Sequence, residues 1–118
     1  MKDPVVNDPL PVGAVVDATP APMPGAVTLK GRHGAVERLD AARHAPSLWT
    51  AMAGHDRIWT YIFADPPPDE AAFRGYIADC ANNKERIFYA IVDNKGDALG
   101  IMALMEIRPA ARVIEVGN

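Results

Sequence analysis

Cysteines, basic runs and long apolar segments are all scarce in this chain. Cys80 is the only cysteine among 118 residues, which excludes an internal disulfide and a thiol-based metal site. The 12 Lys and Arg residues are outnumbered by 15 Asp and Glu and never form a run, so we expect no nucleic-acid partner. No segment approaches the roughly 20 apolar residues that cross a bilayer, so no membrane partner is expected. A single free cysteine and an N-terminus without a signal sequence favour the cytoplasm.

The histidines do not follow the spacing of a metal site. His33, His44 and His55 fall at a predicted turn, a helix start and a loop, with no companion cluster of Cys or Asp. We therefore expect no bound metal. Cys80 lies on the apolar face of a predicted helix, where a buried and inert thiol is the usual outcome.

Proline is concentrated at the N-terminus. Residues 1–24 contain six of the 11 prolines. Because proline lacks a backbone donor and blocks helices, we predict that this leader is extended or disordered. The alternative is an arm that wraps over the domain or a neighbouring molecule, with the following apolar anchors: Val5, Val6, Leu10, Val15 and Val16.

Residues 25–118 contain the patterns of a folded domain. Apolar runs predict strands near 26–30, 34–39, 86–92, 98–107 and 112–118. The turn signals at 93–97 and 108–111 join the last three into an antiparallel meander. The last strand is still incomplete at Asn118, so its edge would be unpaired, and the sequence looks interrupted there.

Helical periodicity separates the early strands from the meander. We predict a helix over 44–53, because Pro46 is tolerated only in a first helical turn. A short helix that Asp56 caps should run through the residues IWTYIF, and a third helix is predicted over 69–82. The order of elements predicts an α+β fold with two or three helices packed on one face of the sheet.

Three stretches of the sequence carry a resemblance to a known family. They are VTLKGRHGAVERLD, IWTYIFADPPPDEAAFRGYI and FYAIVDNKGDALGIMALMEIRPAARVIEVGN. Together they resemble the N-terminal half of a GCN5-related N-acetyltransferase (GNAT), in the branch similar to ribosomal-protein-alanine acetyltransferases. The resemblance covers residues 25–118.

The resemblance implies acetyl-CoA as the cofactor and acetyl transfer to an amine. In this superfamily, a loop after the fourth strand holds the pyrophosphate at a helix N-terminus. The strand that resembles the family's fourth strand is the last one predicted here, over 112–118, and it ends at Asn118, so no cofactor-binding residue is expected within the chain. We expect this half-domain to be truncated before that loop, to bind acetyl-CoA poorly and to be inactive by itself.

The resemblance also implies an acceptor side. Glu115 is the candidate general base, and Trp59, Tyr61, Tyr89 and Asn118 are the candidates for an acceptor pocket. The alternatives are a solvent-facing Glu115 on an alternating strand and a packing role for Trp59 and Tyr61.

Two other functions stay open at this point. The first is a non-enzymatic half-domain that pairs with itself or with a partner through Val113–Asn118, or exchanges its leader, to give a homo-oligomer. The second is a small-molecule sensor similar to PAS domains, since FYAIVDNKGDALGIM resembles their hairpin strands. The sequence does not indicate the acceptor amine.

Overall fold

The computed structural model describes residues 9–117, which contain one antiparallel sheet with helices on one of its faces. Five strands lie side by side in chain order: β1 (Leu29–Lys30), β2 (Gly34–Arg38), β3 (Ile87–Asp93), β4 (Ala98–Arg108) and β5 (Val113–Gly117). Helices α1 (Ala41–Met52) and α2 (Glu70–Ala81) separate β2 from β3. The predicted α+β class is confirmed.

The predicted meander lies at β3 to β5, within two residues of the expected bounds. Its first turn forms because the Asp93 carboxylate accepts the backbone N–H groups of Lys95 and Asp97, at 2.9 and 3.0 Å. Gly96 follows with φ +88°, a left-handed conformation that glycine adopts at little cost. The second turn is a single 3₁₀ turn at Pro109–Ala111.

Helix α1 begins earlier than predicted. Its first residue is Ala41, and Asp40 caps it by accepting the Arg43 N–H at 3.0 Å. Pro46 therefore lies inside the helix, where it cannot donate to the carbonyl of Ala42. Ala42 and Pro46 are both on the exposed face, so water can reach that carbonyl, and the cap outweighs the lost bond.

The region between the two helices also differs from the prediction. Only Asp56–Trp59 is helical, as one 3₁₀ turn, and residues 60–69 form a loop. Tyr61 and Phe63 are almost fully exposed, so a helix there would have no packed face to stabilise it. The third predicted helix is confirmed as α2, which Asp69 caps by accepting the Ala72 N–H at 2.8 Å.

The core lies between the two helices and one face of the sheet. Phe73 and Ile77 of α2 are buried against Leu48 of α1, and Trp49 packs on Phe73 with ring centroids 5.5 Å apart. From the sheet, Phe88 contributes to the same core, so the helices cover the sheet as predicted. On the opposite face of the sheet Tyr89 is buried, whereas three apolar side chains are exposed: Leu29, Ile91 and Leu99.

The leader is extended from residue 9 to β1 and contacts the domain through its backbone. Ala21 N–H donates to the Pro109 carbonyl at 2.9 Å, and the Arg112 guanidinium donates to the Thr19 carbonyl at 2.6 Å. These contacts differ from the predicted apolar anchors, because Val15 and Val16 are exposed. Two further predicted anchors, Val5 and Val6, lie outside the described residues. No helix within residues 9–117 is long and apolar enough to cross a membrane.

Candidate acceptor groove

An open groove of about 470 Å³ lies where the loop after Trp59 passes the C-terminal end of α2 and the sheet. Tyr61 and Phe63 form its outer wall, and Phe88 and Met105 supply its apolar floor. Three polar side chains line the end near α2: Asp79, Asn83 and Arg86. The groove therefore combines an apolar floor with side chains of both charges, which is typical of sites that orient small polar ligands.

The strand register puts Glu115 on the face of the sheet that carries this groove, although its side chain is exposed and is not among those that line the groove. Glu115 lies directly opposite Met105 in the β4–β5 pair, and directly opposed residues of an antiparallel pair share one face of the sheet. Met105 faces the groove, so Glu115 is on the groove side of the sheet. Val116 is on the other face, opposite Leu104, and is exposed. The alternation of the strand indicated that Val116 would face the core and Glu115 the solvent. In the structure, the helices lie on the side of the sheet that carries Met105 and Glu115.

Arg86 lies just before β3 and lines the same groove as Met105.

The two aromatic residues of the Trp-Thr-Tyr element have different surroundings. Trp59 is buried and meets the Tyr76 ring edge-on, with centroids 5.1 Å apart. Its position supports the packing role and fixes the start of the loop. Tyr61 is 95% exposed and forms part of the groove wall, so the packing alternative does not apply to it.

Tyr89 lies away from the groove, on the opposite face of the sheet. The Arg38 guanidinium is 5.5 Å from its ring centroid, and its hydroxyl donates to the Gly25 carbonyl of the leader at 3.4 Å. Adjacent strand residues face opposite sides of a sheet, and the neighbouring Phe88 faces the groove. Tyr89 therefore does not lie with Tyr61. Phe88 takes the place in the groove that was expected for Tyr89. Asn118 lies outside the described residues.

Sequence reasoning missed Arg86, Asp79 and Met105. Arg86 was expected to be the first residue of the strand predicted over 86–92, but it lies just before β3 and lines the groove. Cys80 also borders the groove and is buried, and burial raises the pKa of its thiol above the ordinary value. A thiol in this setting is a poor nucleophile.

The described residues do not fit the pyrophosphate of acetyl-CoA. Such a group needs free backbone N–H donors at a helix N-terminus. The N-terminal ends of α1 and α2 are instead capped by the carboxylates of Asp40 and Asp69, and Glu70 adds another negative charge at α2. These carboxylates would repel a phosphate.

The buried histidine joins β2 to α1. His44 Nδ1 accepts the Asp40 N–H at 3.0 Å, and its Nε2 lies 3.1 Å from a carboxylate oxygen of Glu37. Arg43 binds the same carboxylate at 2.9 Å. Within residues 9–117, no group of three or more His, Cys, Asp or Glu side chains is placed to hold a metal ion.

Comparison with solved structures identifies the fold. The chain is 31% identical to a GCN5-related N-acetyltransferase from Brucella melitensis, with a TM-score of 0.77 over 84% of this chain and 46% of that one. A GNAT-family structure from Chromobacterium violaceum ATCC 12472 is 24% identical, with a TM-score of 0.76 over 94% of this chain and 58% of that one. No protein-family model and no curated protein matches the sequence.

These likenesses confirm the predicted GNAT-like α+β fold. The α+β half-domain is of the acetyltransferase class, and the chain belongs to the GNAT superfamily. It spans about half the length of the two solved relatives, 46% and 58%.

Proposed function

We propose that this chain carries the acceptor side of an N-acetyltransferase, which transfers an acetyl group from acetyl-CoA to an amine. The observation that carries the proposal is the alignment of Glu115 with Met105, which puts a carboxylate on the groove face of the sheet. The superfamily supplies the type of reaction, and the groove supplies a place for the acceptor. The narrower assignment, to the branch similar to ribosomal-protein-alanine acetyltransferases, stays a prediction, as does a cytoplasmic location.

Glu115 and the groove residues have separate tasks in this proposal. An amine must lose its proton before it becomes a nucleophile, and Glu115 is the carboxylate that can accept that proton directly or through water. Tyr61 and Phe63 hold the acceptor against the apolar floor of the groove. This fixed orientation lowers the entropic cost of the reaction.

The two helix N-termini within residues 9–117 are not expected to hold the pyrophosphate of acetyl-CoA, because they carry carboxylate caps. We therefore expect calorimetric titration of this chain with acetyl-CoA to show no micromolar site. A one-site isotherm in that range would contradict this expectation.

A chimera tests the proposed function. Residues 25–117 would replace the part of the Brucella melitensis protein on which they superpose, and the remainder of that protein would supply the cofactor side. We expect the chimera to bind acetyl-CoA and to release CoA in the presence of suitable amines. A folded chimera that binds acetyl-CoA but acetylates no member of a broad amine panel would overturn the proposal.

One observation favours the second candidate function, strand pairing. Strand β5 is at the end of the strand order, and its Val113, Ile114 and Val116 side chains are 46%, 49% and 65% exposed. An edge strand with apolar side chains and no lysine or proline is a template for another strand. A second copy of the chain could pair there.

A further inference from the structure

The leader has two parts with different surroundings. Residues 9–20 are exposed throughout, whereas Ala21 and Pro24 are half-buried. The hydrogen bonds that hold the leader to the domain fall at Thr19, Ala21 and Gly25. We call residues 19–25 the leader strap. Each of these bonds is made by a backbone group of the strap, so they depend on its extended path and not on its side chains.

Two of the three bonds join the strap to the turn between β4 and β5. Pro109 directly follows β4, and its carbonyl accepts the Ala21 N–H at 2.9 Å. Arg112 directly precedes β5, and its guanidinium donates to the Thr19 carbonyl at 2.6 Å. The strap therefore binds both ends of the turn. Arg112 has φ +54°, a left-handed conformation that is costly for a residue other than glycine.

The pairing of β4 with β5 is interrupted close to this turn. The register shifts between Met105 and Arg108, and Glu106 within this stretch has φ +48°. A bulge of this kind leaves a residue unpaired and bends the strand. The regular pairs begin at Met105 and Glu115. The strap therefore binds the hairpin beyond its irregular part, where strand pairing stabilises it least.

The third bond joins the strap to β3. The Tyr89 hydroxyl donates to the Gly25 carbonyl at 3.4 Å, and Tyr89 is buried although the helices lie on the other face of the sheet. Its neighbour Phe88 points the other way and supplies the groove floor together with Met105 of β4. The strap thus contacts β3 and the β4–β5 hairpin, the elements that carry the floor, from outside the groove.

We propose that the leader strap stabilises the strands of the acceptor groove from behind, and that Arg112 is the positioning residue that anchors it. No residue of the strap lines the groove. Release of the strap should nevertheless loosen β5 and move the floor at Met105. The inference concerns the shape of the groove and goes beyond the proposed function, since it does not depend on acetyl transfer.

Arg112→Gly in the whole chain separates the anchor from the conformation of the turn. Glycine adopts the left-handed conformation at little cost, so the turn is kept while the guanidinium is lost. Nuclear magnetic resonance would follow amide hydrogen exchange and the Met105 methyl resonance. We expect exchange at Ala21 and at residues 113–117 to become about tenfold faster, because a charged hydrogen bond is lost, and the Met105 resonance to shift. Arg112→Lys keeps a charged donor and should recover most of the protection.

Lys95→Gly is the matched control. It removes an exposed cation from the other turn of the meander, and the Lys95 side chain has no hydrogen bond or ion pair to the described residues. Exchange at Ala21 and at 113–117 should stay unchanged.

The inference is wrong if Arg112→Gly frees Ala21 but leaves residues 113–117 and Met105 unchanged, since the strap would then stabilise nothing. Unchanged exchange at Ala21, no recovery with Arg112→Lys, or an equal effect of Lys95→Gly would also overturn it. None of these results involves acetyl-CoA or an amine, so the proposed function would still be decided by the chimera.

Discussion

At Gly34 the backbone of β2 lies close to the backbone of β3. A methyl group there would collide with the backbone carbonyl oxygen of Val92, which cannot move without breaking the strand pairing. We expect Gly34→Ala to lower the free energy of unfolding by about 1–3 kcal/mol, the usual cost of an added carbon in a filled space. Urea unfolding followed by circular dichroism would measure it.

Gly75 provides the matched control for that substitution. It lies inside α2, and a methyl group there would meet no atom within 4 Å. Gly75→Ala should therefore raise the free energy of unfolding by about 0.5–1 kcal/mol, because glycine is a poor helix residue. Equal effects of the two substitutions would contradict the close approach of β2 and β3.

Face assignment is the residue-scale feature that the sequence predicted least well. Alternation correctly indicated that Phe88 and Tyr89 face opposite sides, but it could not say which side the helices cover. The same ambiguity applied to Glu115, whose face is set by its pairing with Met105. Pairing register is a tertiary property, so a single strand pattern does not contain it.

At the scale of elements, α1 contains a proline that weakens the helix. Pro46 removes one helical hydrogen bond and lies on an exposed face. Pro46→Ala should raise the free energy of unfolding by about 1–2 kcal/mol, because the restored bond exceeds the extra flexibility gained by the unfolded chain. Pro22→Ala, in the extended leader, should change it by less than about 0.5 kcal/mol. Thermal unfolding of both variants would test this, and a destabilised Pro46→Ala would contradict the position of Pro46 in the helix.

Elements with strong local signals were predicted well. The helix predicted over 69–82 and the apolar runs of β3 to β5 each specify their own structure. The segment IWTYIF was mispredicted because its apolar residues look helical, although Tyr61 and Phe63 pack on nothing. Local propensity cannot reveal a missing packing partner.

At the scale of the whole molecule, the exposed edge of β5 predicts association. We expect a dimer in which the β5 strands of two copies pair, since pairing satisfies the edge groups and buries Val116. Val116→Lys should give a monomer, because a charged edge side chain opposes pairing. Val16→Lys, in the exposed leader, should leave the dimer intact. Sedimentation velocity would distinguish these outcomes, and a wild-type monomer at high concentration would contradict the prediction.

The central claim is that the groove face of β5 supplies the base for acetyl transfer. The most direct measurement is kcat/KM of the chimera with Glu115→Gln, compared with Glu106→Gln, which removes an exposed carboxylate from neighbouring β4. We predict that Glu115→Gln lowers kcat/KM about 10²- to 10⁴-fold while acetyl-CoA binding is retained, and that Glu106→Gln has little effect. Undiminished activity of the Glu115→Gln chimera would contradict the account.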